Sequence, residues 1–221
     1  SRDNHIKADF GSTESIRELE LKAYDVFIHC AGVIDEDFKS DPKSAYQRST
    51  YNFSSLLNKI VKCEIKVVIY FSTAHVYGQL EGIIKEDKPA NPLSDYAIAH
   101  FAAEQILQRY AKKNGIRVLI IRPMAIYGIP QSISTFKRWH LIPYSFPSEC
   151  IYNKRIVLQT SGSQKRNFVS IKDIAAYVMT YLEQLDVFDT YTILNPIGSD
   201  TMSVHDFAMK CSDIYNKLTG N

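Results

Sequence analysis

Three short apolar runs, at 24–31, 66–73 and 117–122, separated by stretches of helical periodicity, constrain what this chain can fold into more than any other feature. A run such as Tyr24-Asp-Val-Phe-Ile-His-Cys-Ala31 has almost no polar face to give to water, so it predicts a strand covered on both sides, as in a parallel sheet. Between the first two runs, residues 42–62 predict a helix with Tyr46, Phe53, Leu56, Leu57 and Ile60 along one side. Residues 94–113 predict another, ended by Asn114-Gly115 as a left-handed stop, and Pro123 closes the third strand. Strand and helix alternating through short turns predict an α/β fold with a doubly wound parallel sheet.

From Gly128 to Gly162 the pattern changes to prolines at 130, 143 and 147, aromatics and little periodicity, which predicts a smaller, loop-rich lobe. A helix follows with Ile174, Val178, Leu182 and Leu185 at helical spacing, then a strand near 191–195. A last helix is capped by Ser203 with Asp206 three residues on, and carries Phe207, Cys211, Ile214 and Leu218 on one face. The near balance of 26 Lys+Arg against 24 Asp+Glu, without a basic run, argues against a nucleic-acid partner. Cys30, Cys63, Cys150 and Cys211 are scattered with no C-x-x-C pair, as expected of reduced thiols in a cytoplasmic protein. No apolar stretch approaches the ~20 residues of a membrane span. The histidines show no metal-ligand spacing, so a zinc site is not expected.

Phe71-Ser-Thr-Ala-His-Val-Tyr-Gly78 closes the second strand, and Pro92-Leu-Ser-Asp-Tyr-Ala-Ile-Ala-His100 opens a helix. With them stand His29-Cys-Ala-Gly32, Glu86-Asp-Lys-Pro-Ala-Asn-Pro-Leu-Ser-Asp-Tyr96, Arg122-Pro-Met-Ala-Ile-Tyr-Gly128 and Arg166 in the context Gly-x-x-x-Arg. In this order they resemble the extended short-chain dehydrogenase/reductases, the NAD-dependent sugar-nucleotide epimerases, dehydratases and reductases, over almost the whole chain. The resemblance implies a Rossmann-like dinucleotide domain in 1–128 and a mainly substrate-binding lobe in 129–221, with about 163–185 returning to the first domain. No G-x-G-x-x-G occurs among the nine glycines, so the resemblance also implies a preceding βαβ unit of about 30 residues or more that would cradle the pyrophosphate. A further stretch is expected beyond the last helix.

The resemblance assigns Thr73 to the substrate hydroxyl and Tyr96 to proton transfer. It assigns Asp9, Phe10, Cys30, Ala31 and Gly32, with Tyr96 and His100, to NAD or NADP. His75, Ala125 and Arg166 join Thr73 on the substrate side, where Arg166 would grip a nucleotide diphosphate through its planar guanidinium. Two readings of Asp9 stay open, contact with the adenine and capping of a helix from about Ser12. The bland reading of His75 is a partly exposed residue without chemistry.

Two positions depart from the pattern. The family's Tyr-x-x-x-Lys is Tyr96-Ala-Ile-Ala-His100, and no tyrosine in the chain has a lysine four residues on. The four-residue spacing puts both side chains on one helix face. A lysine ammonium there favours the phenolate of a tyrosine whose ordinary pKa is about 10, whereas an imidazole, at about 6.5, is mostly neutral where that base works. The second departure is Ala125, in place of an asparagine that would bind the sugar nucleotide. The resemblance implies a homodimeric NAD(P)-dependent enzyme acting on a nucleotide-linked sugar, and the two departures predict weakened activity. The alternative is a catalytically impaired relative that binds a ligand or partner.

Overall fold

The computed structural model describes residues 6–22 and 24–220. Residues 1–5 lie outside them. In chain order the elements are α1 (Thr13–Glu18), β1 (Val26–His29), α2 (Asp35–Ser40), α3 (Pro42–Gln47), α4 (Phe53–Lys62) and β2 (Val67–Phe71). There follow α5 (Asp95–Asn114), β3 (Arg117–Ile121), β4 (Ala125–Tyr127), α6 (Ile142–Asn153), β5 (Lys165–Ser170), α7 (Ile171–Glu183), β6 (Tyr191–Leu194), β7 (Asp200–Ser203) and α8 (Val204–Thr219). They form two compact units, Ser1–Arg122 with Gln184–Asn195, and Pro123–Glu183 with Pro196–Asn221.

The first unit is a parallel four-stranded sheet in the order β1-β2-β3-β6. Its central strands are apolar throughout, and Val68, Ile69, Val118, Ile120 and Ile121 are fully buried. Helices α4 and α5 cover Val68, Val118 and Ile120 with Leu56, Leu57, Ile60, Ala103 and Leu107, forming the main core. The expected strand at 24–31 is shorter and less covered: it spans Val26–His29, and Ile28 is 48% exposed. Among the described residues β1 is an end strand, which explains the exposure.

The expected division at 128 falls earlier, after Arg122. The segment that returns to the first unit is Gln184–Asn195 rather than 163–185, because β6 pairs with β3 whereas α7 packs on β5. The second unit holds a mixed sheet, β4-β5-β7, and a cluster of Phe146, Val204 and Ala208 between α6 and α8. The lobe is less loop-rich than its prolines suggested. Pro143 sits in the first turn of α6, where its missing N–H costs nothing, and Ile142, Phe146 and Cys150 repeat every four residues despite Pro147. In α8 the buried stripe is Val204 and Ala208, with Ile214 and Leu218 exposed.

The helix expected over 42–62 is broken into α3 and α4 by a π-helical turn, Arg48–Asn52. The turn carries the fully buried Asn52, which holds the segment before α1. Its Nδ2 donates to the Phe10 and Gly11 carbonyls at 2.9 and 3.0 Å, and its Oδ1 accepts from the Thr13 hydroxyl at 2.8 Å. Asn52→Ala strands these partners and is expected to cost about 2 kcal/mol. A urea midpoint unchanged from the parent protein would refute the assignment.

Candidate active site

The first unit gathers the chemistry at the carboxyl ends of β1 and β2 and at the start of α5. Thr73 follows β2, is 4% exposed, and accepts the His75 N–H at 3.2 Å, which opens the 3-10 turn Ala74–Tyr77. That turn must end in glycine. Gly78 has φ 78°, and a Cβ there would come within 2.4 Å of the Asn91 carbonyl. Helix α5 starts where Ser94 accepts the Ala97 N–H at 3.3 Å, a cap worth about 1 kcal/mol. It ends at Gly115 in the left-handed region, as the sequence indicated.

Tyr96 and His100 share one face of α5, with ring centroids 4.7 Å apart. The His75 ring lies edge-on to that of Tyr96, with centroids 6.3 Å apart. His100 is 3% exposed and both its nitrogens are engaged, Nε2 with the Val33 carbonyl at 3.2 Å and Nδ1 with the Tyr70 hydroxyl at 2.9 Å. A carbonyl only accepts, so Nε2 carries the proton and Nδ1 accepts from Tyr70. Burial pushes the His100 pKa down to about 4, against the opposing pull of the Val33 carbonyl and Asp35. Gly32 leaves room for this ring: a Cβ there would lie 2.9 Å from His100 Cε1.

His29, at the end of β1, is caged by Phe10, Phe27, Phe53 and Tyr70 at centroid distances of 5.8, 6.1, 4.9 and 5.6 Å. Burial, and then the nearby His100, push its pKa down to about 4. Phe10 and Ala31 border a narrow cleft of about 10 Å³ together with His29, Arg48 and Asn52. Cys30 and Ala31 themselves are exposed. The Asp9 carboxylate accepts the Gly11 N–H at 2.8 Å, and the cap of α1 is Ser12, so the capping reading of Asp9 is corrected. A wider hollow of about 450 Å³ lies on the outer side of α5, lined by Gln105, Gln108, Arg109, Lys112 and Lys113, and includes none of these residues.

Behind Thr73 lies a buried ion pair. Arg122 Nε and Nη2 donate to Glu104 at 3.0 and 2.5 Å, and the Ser72 hydroxyl donates to the same carboxylate at 2.5 Å. Burial alone would lower the Arg122 pKa, but the hydrogen bonds and charge of Glu104 outweigh it and raise it. The guanidinium lies over the Tyr77 ring at 4.7 Å, Tyr77 donates to Asn195 Oδ1 at 2.9 Å, and the Asn195 N–H donates to Glu86 at 2.9 Å. Arg122, Tyr77 and Glu86, each part of a motif, are thus the frame of the site.

Ala125 and Arg166 belong to the second unit. Ala125 is in β4, opposite Phe168, and Arg166 is in β5, its Nη1 donating to the Lys165 carbonyl at 2.9 Å. Sequence reasoning missed Arg48, Asn52 and Tyr70. A buried-type run offers no signal that Tyr70 has a polar partner, and the two asparagine and arginine positions read as an ordinary helix surface.

The sequence profile described as the NAD dependent epimerase/dehydratase family matches residues 2–195. The chain belongs to the NAD-dependent epimerase/dehydratase family. Among similar family members, a UDP-glucose 4-epimerase of Azospirillum brasilense is 30% identical over 191 residues, covering 80% of this chain and 55% of that protein. A dTDP-D-glucose 4,6-dehydratase of Mus musculus is 26% identical over 200 residues, covering 85% of this chain and 52% of that protein. The chain spans about half the length of the curated relatives it matches. The fold matches that of RMD from Pseudomonas aeruginosa complexed with NADPH, with a TM-score of 0.81 at 21% identity over 96% of this chain and 71% of that one. It also matches a UDP-glucuronic acid 4-epimerase from Bacillus cereus in complex with NAD, with a TM-score of 0.76 at 21% identity over 100% and 65% of the two chains. No helix among the described residues is long and apolar enough to cross a membrane.

Proposed function

We propose that this family member is a cytoplasmic, homodimeric NAD- or NADP-dependent epimerase, dehydratase or reductase of a nucleotide-linked sugar. The observation that carries the proposal is Tyr96 packed against His100 beside the turn that starts at Thr73. Tyr96 exchanges a proton with a sugar hydroxyl, and Thr73 orients that hydroxyl. Arg166, Ala125 and His75 keep the substrate-side assignments that their motifs imply.

The residues present fit a dinucleotide. Phe10 offers a ring, Ala31 and Gly32 offer backbone without bulk, and Arg48 has a buried Nε with no hydrogen-bond partner, a donor suited to the acceptor edge of a nucleoside. When bound, the nicotinamide supplies a hydride acceptor. Asp9 and Cys30 stand in the two segments that border the same cleft. Dimerisation would use the outer faces of α4 and α5, where Ile98 is 42% exposed and Tyr51, just before α4, 57%.

A native mass spectrum with NAD, followed by turnover of UDP-glucose, tests the proposal. Tyr96→Phe is expected to abolish turnover. His100→Lys is expected to raise it, since the Tyr70 hydroxyl and Val33 carbonyl can both accept from an ammonium. A cation that lowers the tyrosine pKa by one unit gives about tenfold more phenolate at neutral pH. Unchanged or lower turnover in His100→Lys defeats the assignment of position 100. Bound NAD without turnover of any nucleotide sugar favours the second reading, a ligand-binding relative, which the neutral state of His100 supports.

A further inference from the structure

Two polar groups border the narrow cleft beside Phe10 and Ala31 without a hydrogen-bond partner among the described residues. The first is Arg48 Nε, which is buried. The second is the His29 ring, which is 7% exposed and surrounded by aromatic side chains. Tyr70, the residue of that cage with a polar atom, gives its hydroxyl to His100 instead. Asn52, the remaining polar side chain on the cleft, is committed at both ends of its amide. A buried donor without an acceptor is costly to the folded chain and is satisfied by whatever supplies one. The charges decide what that can be. Arg48 Nη2 is paired with Asp37, whose carboxylate also accepts the Ile34 N–H at 2.8 Å. The guanidinium is thus already neutralised, and a phosphate brought to Nε would meet the Asp37 carboxylate behind it. His29 is uncharged near neutral pH, because burial, and then His100, push its pKa down to about 4. With Phe10, Phe53 and Leu56 as apolar walls, the cleft suits an uncharged, flat heterocycle rather than an anion.

We propose that Arg48 and His29 read the edge of the dinucleotide's adenine, Arg48 Nε donating to a ring nitrogen and the His29 imidazole accepting from the exocyclic amine. The inference rests on the reading of this chain as a dinucleotide enzyme with the nicotinamide at Tyr96, which leaves adenine as the ring for this cleft. At about 10 Å³ the cleft is too narrow for a whole base and takes an edge. Adenine carries an acceptor ring nitrogen and a donor amine side by side, and the cleft offers one donor from Arg48 and one lone pair from a neutral imidazole to meet them. The π-helical turn Arg48–Asn52 brings the donor here and, through the Asn52 amide, holds the Phe10 carbonyl, so one local irregularity builds two sides of the cleft.

The test compares, by calorimetry on the whole protein, the binding of NAD with that of nicotinamide ethenoadenine dinucleotide, in which a two-carbon bridge ties up both the ring nitrogen and the amine. The parent protein is expected to bind NAD about tenfold more tightly than the analogue. The ratio is expected to fall toward one in Arg48→Lys, which keeps a cation for Asp37 but has no Nε, and in His29→Phe, which keeps the aromatic packing. Equal binding of the two dinucleotides by the parent protein overturns the proposal, as does a ratio that either variant retains in full. Where a variant does not fold, the parent protein labelled with ¹⁵N-arginine decides: an arginine Nε–H signal that moves with NAD and not with the analogue supports the proposal, and the lack of one overturns it. No binding of NAD, NADP or the analogue would instead defeat the dinucleotide reading, and the proposal with it.

Discussion

Glu104→Leu is expected to lose about 3–5 kcal/mol of unfolding free energy in a urea titration, the largest effect of any single substitution considered for this protein. The reason is the setting of the pair. The Glu104 side chain is 0% and the Arg122 side chain 4% exposed, so removing the carboxylate leaves a buried guanidinium charge with the Tyr77 ring beside it but no counter-charge. Ser72 loses its acceptor at the same time. Glu104→Leu with Arg122→Met removes both charges and is expected to recover most of the loss, because a buried ion pair gains little over apolar side chains of similar volume. A single variant that loses less than about 1 kcal/mol, or a double variant no more stable than the single one, contradicts this account. Since Thr73 adjoins Ser72 and Arg122 directly follows β3, which is paired with β2, the single variant should also loosen the candidate site.

Stability is expected to fall as pH drops from 6.5 to 4, through the two sealed imidazoles. The pKa values of His29 and His100 are pushed from 6.5 to about 4 in the folded chain. Above pH 6.5 neither the folded nor the unfolded chain holds these protons, and the stability is full. Between the two values the unfolded chain takes up protons that the folded chain refuses, so stability declines with falling pH. Below about 4 both forms are protonated and the loss stops growing. Each histidine accounts for up to about 3 kcal/mol, and because they interact the two losses do not simply add. Thermal midpoints across this range should flatten in His29→Phe, whose ring suits the aromatic cage. A midpoint as acid-sensitive in that variant as in the parent protein would show that carboxylates elsewhere dominate.

The sequence by itself determined the parallel sheet, the long helix Asp95–Asn114 and the shared helix face of Tyr96 and His100. These depend on local physics: unbroken apolar runs need cover on both faces, and a four-residue spacing on a helix forces two side chains onto one face. The glycine stop at Gly115 and the cap at Ser203 are equally local. The tertiary structure alone decided the rest. The π-helical turn at Arg48–Asn52 exists around a buried amide whose partners lie about forty positions earlier in the chain. The strand expected near 191–195 is β6, but its place in the first sheet is set by the edge of β3 with which it pairs, which no local pattern reveals. The neutrality of His100 depends on its burial, which outweighs the Val33 carbonyl and Asp35, and the exposure of His75 on the turn after β2. Residue type and spacing specify which groups a chain offers, but protonation, solvent access and partners are set by what the fold brings from elsewhere in the sequence.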